Sequence, residues 1–360
     1  MTNNNKTRIV VGLSGGVDSS AAASLLVEQG YDVVGITLKV WPQDCVSRAE
    51  DKCCGPQAVM DARSVADKLD IPYYLVDESK EFQRDVIDYF AAEYKAGRTP
   101  NPCVMCNEKL KFGNLIDRAR KLGAEYVATG HYARLEQRDG RTVLLRGRDA
   151  RKDQTYFLFS LGQEQLAHML FPLGELQKSE TREVARCVNL KTAEKQESQE
   201  ICFVPDKDYK KFLTTAGLVE EHRGEIVDTR GQVLGHHDGI EFYTIGQRKG
   251  LGISSPSPMY VIELDPENNR VVVGGEELLL RDEFRIDRCN WIAFDHLAKP
   301  IEASAAIRYN HPGTEATVIP GENGQATVKL REPQRAVTPG QACVFYQDDL
   351  VVGGGWIMRN

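Results

Sequence analysis

The sequence predicts an α/β protein, a doubly wound parallel sheet in its first half, giving way to an all-β second half. Apolar, strand-like runs alternate with amphipathic helical segments through the first part of the chain. A turn rich in Gly and Ser joins the first strand directly to the first helix. Beyond about residue 205 the alternation stops, and short β patterns separated by Gly and Pro turns replace it.

Each element follows from its own residues. Ile9-Val10-Val11 is an apolar run that enters Gly12 and is followed by a helical pattern from Ala21 to Gln29. Asp32 to Leu38 reads as a second buried strand. From Val59 to Leu69, the residues Val59, Ala62, Val65, Ala66 and Leu69 recur at helical spacing. Pro72 to Val76 is a third strand, Phe82 to Tyr94 a long helix, Lys111 to Lys121 another helix, and Tyr126 to Thr129 a strand ending at Gly130-His131. In such parallel sheets ligands bind beyond the carboxyl ends of the strands, where Ser14, Leu38 and Gly130 fall. In the second half, β patterns occur at Gly224 to Asp228, Met259 to Leu264 and Arg270 to Gly274. From Phe284 to Ile357, repeated short strands such as Glu302 to Tyr309 and Ala326 to Leu330 predict a small β-barrel.

A chain of 360 residues has room for two or three domains, and 41% apolar with 27% charged residues is ordinary globular composition. No apolar run approaches the ~20 residues that span a bilayer. Met1 to Lys6 leads into the first strand without a signal-like apolar stretch, which predicts a cytoplasmic location. There, an odd count of nine cysteines points to catalytic, metal-binding or buried thiols. A net charge of −7 argues against a surface coated for bulk nucleic-acid binding. Between Cys103 and Lys152, however, twelve Lys and Arg face only six acids. That local excess fits a phosphate backbone or, equally, a solvated helix face and a charged hairpin.

The segment Gly12-Leu13-Ser14-Gly15-Gly16-Val17-Asp18-Ser19-Ser20 carries the clearest chemistry. Gly15 and Gly16 let the backbone approach an anion, while the first helical amides and the hydroxyls of Ser14, Ser19 and Ser20 supply donors. The loop lacks the Lys and the longer spacing of a Walker A motif. A second segment runs Thr99-Pro100-Asn101-Pro102-Cys103-Val104-Met105-Cys106-Asn107. Asn101 suits a cap and Pro102 the first helical position. Cys103 and Cys106 then lie one turn apart, where the helix dipole favours thiolate. Cys202, in Ile201-Cys202-Phe203, reads by itself as a buried thiol. Cys45, Cys53 and Cys54 fall in a loop-like insertion, Cys187, Cys289 and Cys343 in apolar patterns expected to be core, and His236-His237-Asp238 in an expected solvated turn.

The first loop resembles the pyrophosphate loop of the ATP pyrophosphatases, Ser-Gly-Gly-x-Asp-Ser. Together with Asn101-Pro102 through Cys106-Asn107 and with Ile201-Cys202-Phe203, it resembles the tRNA-specific 2-thiouridylases. The resemblance covers nearly the whole chain, through Tyr94 to Pro102, Ala128 to Tyr132, Lys152 to Leu158 and Thr244 to Gly252. It implies an ATP-pyrophosphatase domain (1–205), a small central domain (206–278) and a C-terminal barrel (279–360). It implies ATP-dependent 2-thiolation of the wobble uridine, with Mg²⁺ near Asp18, tRNA bound through its anticodon stem-loop, and a separate protein donating persulfide or sulfide. The residues implied for ATP are Gly12 to Ser19, Leu38 and Gly130. Cys202 would carry the sulfur as a persulfide and Cys106 would help release it, leaving a Cys106–Cys202 disulfide. Asn101, Pro102 and Cys103 would meet the target base, and His131, Lys152, Asp153, Gln154, Arg308, Tyr309 and Gln341 would contact tRNA.

One departure concerns Cys103. Many relatives have Asp there, proposed as a general acid/base, and a thiol does not simply inherit that role. The Cys103-x-x-Cys106 pair with Cys202 supplies three thiolates that could hold a four-iron cluster with one iron open, as in the Cys-x-x-Cys subgroup. The alternative is a persulfide enzyme in which Cys103 is a bystander. Other functions left open are adenylation of a small molecule, as by a GMP synthetase, and non-catalytic RNA binding.

Overall fold

The structure, a computed structural model, describes residues 6–40, 55–195, 201–204, 206 and 208–359. Cys45, Cys53 and Cys54 lie outside them, as do Ser198, Gln199 and Glu200. The chain divides into two compact units: Met1–Val86 with Cys103–Lys207 and Asp349–Val351, and Ile87–Pro102 with Asp208–Asp348 and Val352–Asn360. Among the described residues no helix is long and apolar enough to cross a membrane.

The first unit is built on the predicted parallel sheet. Strands β1 (Arg8–Gly12), β2 (Asp32–Lys39), β3 (Tyr73–Asp77) and β4 (Tyr126–Ala128) all run parallel, in the order β3-β2-β1-β4, with a short further strand, Met169–Leu170, beside β4. Helices α1 (Val17–Glu28) and α2 (Pro56–Leu69) connect the first three strands. Ile9, Val11 and Ala128 of the sheet pack with Val17, Ala23 and Leu26 of α1 and Ala62, Val65 and Ala66 of α2. Burying such a cluster at about 25 cal/mol per Å² of apolar surface is the main force that fixes the sheet edge. Strand β3 forms where expected and lies at the sheet edge, with Tyr74 and Leu75 exposed. An antiparallel hairpin, β5 (Ala133–Arg138) and β6 (Arg141–Arg146), completes the unit.

Numbering the short strand Met169–Leu170 as β7, the second unit begins with β8 (Gly224–Asp228) and β9 (Val233–His237), joined by β10 (Tyr260–Asp265) and β11 (Arg270–Gly274) in a sheet of order β10-β11-β8-β9. Strands β12 (Leu280–Trp291), β13 (Ile301–Ala306), β14 (Thr314–Pro320), β15 (Ala326–Arg335), β16 (Ala342–Gln347) and β17 (Leu350–Ile357) follow in the order β12-β15-β14-β13-β16-β17. Pairing of β12 with β17 (Ile286 to Ile357, Trp291 to Gly353) closes the barrel and removes its edges. Inward-facing Phe284, Ile286, Val318, Val328, Phe345 and Val352 fill it.

Two expectations are corrected here. Cys187 is exposed: it is the last residue of the helix Lys178–Cys187, on the face turned from the core. His237 is no solvated turn residue; it ends β9, is 2% exposed, and accepts the Gly239 amide at 3.1 Å. Its apolar surroundings hold the imidazole below its ordinary pKa.

Candidate active site

The loop after β1 is shaped by its glycines. Leu13 donates its amide to the Ile36 carbonyl at 2.8 Å, keeping the chain on the sheet for one residue past the strand. Gly15 has φ +70°, and a Cβ there would collide with the Ala58 carbonyl. Only glycine takes that conformation and that approach together. Gly16 then caps α1 with extended backbone and no side-chain cap. The first amides of α1 are therefore not claimed by a cap, and they carry the positive end of a 12-residue helix. Ser14 and Ser19 face each other, Oγ to Oγ 3.1 Å, and the Ser14 amide donates to Ser19 Oγ at 3.1 Å. Ser20 is turned away, donating its hydroxyl to the Gly16 carbonyl at 2.7 Å.

Gly130, just past β4, presses against this turn: a Cβ there would lie 2.6 Å from the carbonyl carbon of Asp18 and the amide nitrogen of Ser19. Leu38 is half-buried at the carboxyl end of β2. Thus Gly12 to Ser19 and Gly130 come together at the carboxyl edge of the sheet, and Leu38 lies along that edge.

Residues distant in sequence complete the site. Asp18 Oδ1 accepts from Lys178 Nζ at 2.6 Å and from the Tyr132 hydroxyl at 2.9 Å. The Lys178 ammonium also sits 5.6 Å from the Tyr132 ring centroid, and the Tyr132 hydroxyl is 2.9 Å from Thr181 Oγ1. On the other flank, Lys195 Nζ donates to the Gly15 carbonyl at 3.1 Å and to Asp61 at 2.7 Å. Sequence reasoning missed Lys178 and Lys195. The capping box of Gln177 and Glu180 marks a helix start, but nothing local announces a partner 160 residues upstream.

The thiols occupy the same unit. A helix starts at Pro102 as predicted, and at Cys106 it widens into a π-helical stretch, Cys106–Asn114, of the kind common at functional sites. Cys103, Cys106 and Cys202 are each half-buried. Asn107 is 2% exposed and donates Nδ2 to the Phe157 carbonyl at 3.1 Å. Beside Cys202, Phe203 packs edge-on against Phe82, with centroids 5.7 Å apart. Among the described residues no group of three His, Cys, Asp or Glu is gathered about a single metal-ion site; a four-iron cluster would spread its thiolate ligands over separate irons.

The residues expected at tRNA divide into inward and outward ones. His131 is buried between Phe112 and Phe171, 2.8 Å from Thr129 Oγ1. Burial, and secondarily the Lys111 charge, hold its pKa well below the ordinary value. Asp153 ties Arg146, the Gly147 amide and Thr155, and Gln154 Oε1 accepts the Tyr132 amide at 3.0 Å. Arg308 and Tyr309 are exposed on the second unit. There too, Asn101 and Pro102 are buried, and Gln341 Nε2 donates to the Thr99 and Pro100 carbonyls, both at 3.1 Å. The basic excess is largely met by acids outside its window: Arg118 by Glu78, Arg120 by Glu164, Arg134 by Asp349 and Arg148 by Glu180.

Amides at the head of α1, backed by two hydroxyls and presented at a strand's carboxyl end, give the first unit the strand–loop–helix arrangement of α/β domains that receive phosphates. Residues 7–206 match the family described as tRNA methyl transferase HUP domain, 210–275 its PRC-barrel domain, and 281–357 the aminomethyltransferase beta-barrel domain. The chain belongs to the tRNA-specific 2-thiouridylase family. It is 50% identical over 353 residues to the Clostridium perfringens tRNA-specific 2-thiouridylase MnmA, covering 98% of each chain. It is 52% identical over 351 residues to that of Moorella thermoacetica, covering 97% of this chain and 98% of the relative. Among solved structures, a 4-thiouridine synthetase–RNA complex with bound ATP matches 59% of this chain and 50% of its own, at 18% identity and TM-score 0.35.

Proposed function

We infer that this protein is an ATP-dependent tRNA sulfurtransferase that replaces the C2 oxygen of the wobble uridine with sulfur. The observation that carries this reading is the company the loop keeps: the uncapped head of α1 and both Cys106 and Cys202 belong to one compact unit. The family supplies the rest, since its named members are tRNA-specific 2-thiouridylases.

The Ser14 and Ser19 hydroxyls and the first α1 amides receive the ATP phosphates, with Leu38 and Gly130 bordering the nucleotide. Asp18 is the carboxylate suited to Mg²⁺, a hard cation that neutralises charge on the departing pyrophosphate. Lys178, already on Asp18, supplies a fixed positive charge beside it. The uridine O2 attacks the α-phosphorus and pyrophosphate leaves, so that O2 departs later as part of AMP. Cys202 enters as a persulfide loaded by an external sulfur donor. Its terminal sulfur attacks C2 and AMP leaves. The Cys106 thiolate then attacks the Cys202 sulfur, breaking the persulfide S–S bond, leaving the new sulfur on the base and forming a Cys106–Cys202 disulfide. An external two-electron thiol reductant resets the pair. A four-iron cluster, the alternative centre for handling sulfur, would be held by the Cys103, Cys106 and Cys202 thiolates.

The target base must leave its stack for this chemistry. Asn101, Pro102 and Cys103 are assigned to it, and Lys152, Asp153, Gln154, His131, Arg308, Tyr309 and Gln341 to the rest of the tRNA. His131 acts by fixing the Thr129 side chain and Asp153 by holding the Gly147 and Thr155 amides, because both are internally bonded. Functionally, 1–205 serves as the ATP-pyrophosphatase domain, 206–278 as the central domain and 279–360 as the barrel, although Ile87–Pro102 packs in the second compact unit.

Incubation with ATP, Mg²⁺, tRNA and a persulfide donor tests the reading: AMP, pyrophosphate and 2-thiouridine should form in equal amounts. AMP formed without tRNA, on a small acceptor, would assign the site to another adenylating enzyme.

A further inference from the structure

A solvent-open cavity of about 340 Å³ lies within the second unit, lined by Glu93, Arg98, Asp287, Arg288, Gly340 and Arg359 among others. It holds roughly ten waters' worth of space. Three guanidinium groups and two carboxylates line it. We propose that this cavity is a phosphodiester site for the RNA substrate, separate from the nucleotide loop, in which Arg98, Arg288 and Arg359 grip a backbone phosphate beside the target base. The proposal rests on the tRNA-modifying reading above.

The carboxylates orient the arginines and leave donors over. Glu93, with 8% of its side chain exposed, takes Arg98 through Nε at 2.7 Å and Nη2 at 2.6 Å. That bidentate grip uses one edge of the fork and leaves the Nη1 edge of the guanidinium for another acceptor. Arg288 donates its Nε to Asp287 at 3.3 Å, and its guanidinium lies 5.0 Å from the Trp356 ring centroid. Holding the side chain by Nε and by ring stacking keeps its two terminal nitrogens for an acceptor in the cavity. Arg359 is tethered through Nη2 to the Leu264 carbonyl, with Glu263 Oε1 3.9 Å from the same nitrogen, so its Nη1 is the edge turned to another acceptor. Forks of this shape match phosphate oxygens in pairs.

Backbone strain points to the same place. Arg288 has φ +46°, a left-handed conformation unusual outside Gly, Asn and Asp. It sits where the β12–β17 register shifts between Asp287 and Asn290. A bulge re-aims the side chain it carries, and strain of this sort persists where the surrounding structure enforces it. Here it sets a cation at the mouth of a cavity.

The cavity also borders the segment assigned to the target base. Gly340, at φ +88°, lets its loop approach so closely that a Cβ would lie 2.9 Å from Arg98 Cβ and 2.9 Å from the Thr99 carbonyl. Thr99 donates its amide to the Pro339 carbonyl at 2.8 Å, and Gln341 holds the Thr99 and Pro100 carbonyls. A phosphate bound by Arg98 and Arg288 is thus coupled through one short loop to Thr99-Pro100-Asn101.

The test measures tRNA affinity of the full chain across a salt series for wild type, Arg288→Gln, Arg288→Gly and Arg359→Gln. Each phosphate that a variant no longer neutralises should lower the slope of log K against log salt by about 0.7–0.9 and weaken low-salt binding several-fold. Arg288→Gly fits the left-handed backbone, so a weakening equal to that of Arg288→Gln assigns the effect to charge and not to misfolding. Slopes and affinities equal to wild type would overturn the site. Variants that lose inhibition by inorganic phosphate, yet keep the wild-type salt slope, would assign the cavity to a small anion and also overturn it. Failure of the wild type to bind tRNA would instead refute the underlying function.

Discussion

Asp18 is the side chain on which the nucleotide end of the site turns. A single oxygen, Oδ1, takes both an ammonium and a phenol, so its position is fixed before any ligand arrives. Ser14→Ala or Asp18→Ala should abolish AMP formation and thiolation while tRNA binding persists; equal loss of tRNA affinity in a filter-binding assay would make the loop merely structural. Lys178→Met removes a charged hydrogen bond of the class worth about 1.5–3 kcal/mol, and should lower pyrophosphate release roughly tenfold or more at saturating tRNA. Lys178→Arg should recover part of that rate. Among the thiols, Cys106→Ser and Cys202→Ser should both be inactive. Cys103 discriminates between mechanisms. Cys103→Asp should retain activity in iron-free protein. Iron that co-purifies anaerobically, and leaves together with activity in Cys103→Ser, would assign sulfur transfer to a cluster on the three thiolates.

Helices and strands hold these atoms in place, and two of the helices do so irregularly. The segment predicted as one helix from Phe82 to Tyr94 is interrupted by a π-helical stretch, Gln83–Asp88, and the segment after Cys106 by another. Hydrophobic spacing signals helix in both cases, but a change of winding leaves no mark in it. The close packing of Gly130 on the first turn of α1 is likewise an element-level constraint. Gly130→Ala must push β4 and α1 apart, and should cost about 1–3 kcal/mol of stability and weaken ATP binding. Chemical denaturation and nucleotide titration of that variant check it; an unchanged ATP affinity would remove Gly130 from the site. The hairpin β5–β6 shows how a local charge count misleads. Arg134 there finds Asp349, far outside the counted window, so part of the basic excess is internal ion pairing.

Across the whole molecule, His131, His237 and His311 all have pKa values lowered chiefly by burial. Each holds a proton less readily in the folded state than in the unfolded chain, whose imidazoles take up protons below a pKa of about 6.5. Below that pH the unfolded state therefore binds more protons, and stability falls as pH drops; above it the three contribute no pH dependence. Thermal unfolding should be flat from about pH 7.5 to 8.5 and move to lower temperature between about pH 6.5 and 5. His131→Gln should reduce that acid shift, and a melt independent of pH across this range would show that the imidazoles are solvated.

The residues themselves announced the strand–loop–helix with its Ser-Gly-Gly-x-Asp-Ser, the helix opening at Pro102, the change to β structure and the barrel. Each is written in local spacing, glycine placement and apolar periodicity, and local steric and hydrophobic forces suffice to impose them. The partners of Asp18, the burial of His131 and Asp153, the exposure of Cys187, and the arginines around Gly340 were not legible there. They depend on which distant segments the packed core brings together, as with Lys178 and Asp18 across 160 residues. Such pairings are selected by the packing of the entire unit, and no short-range pattern encodes them.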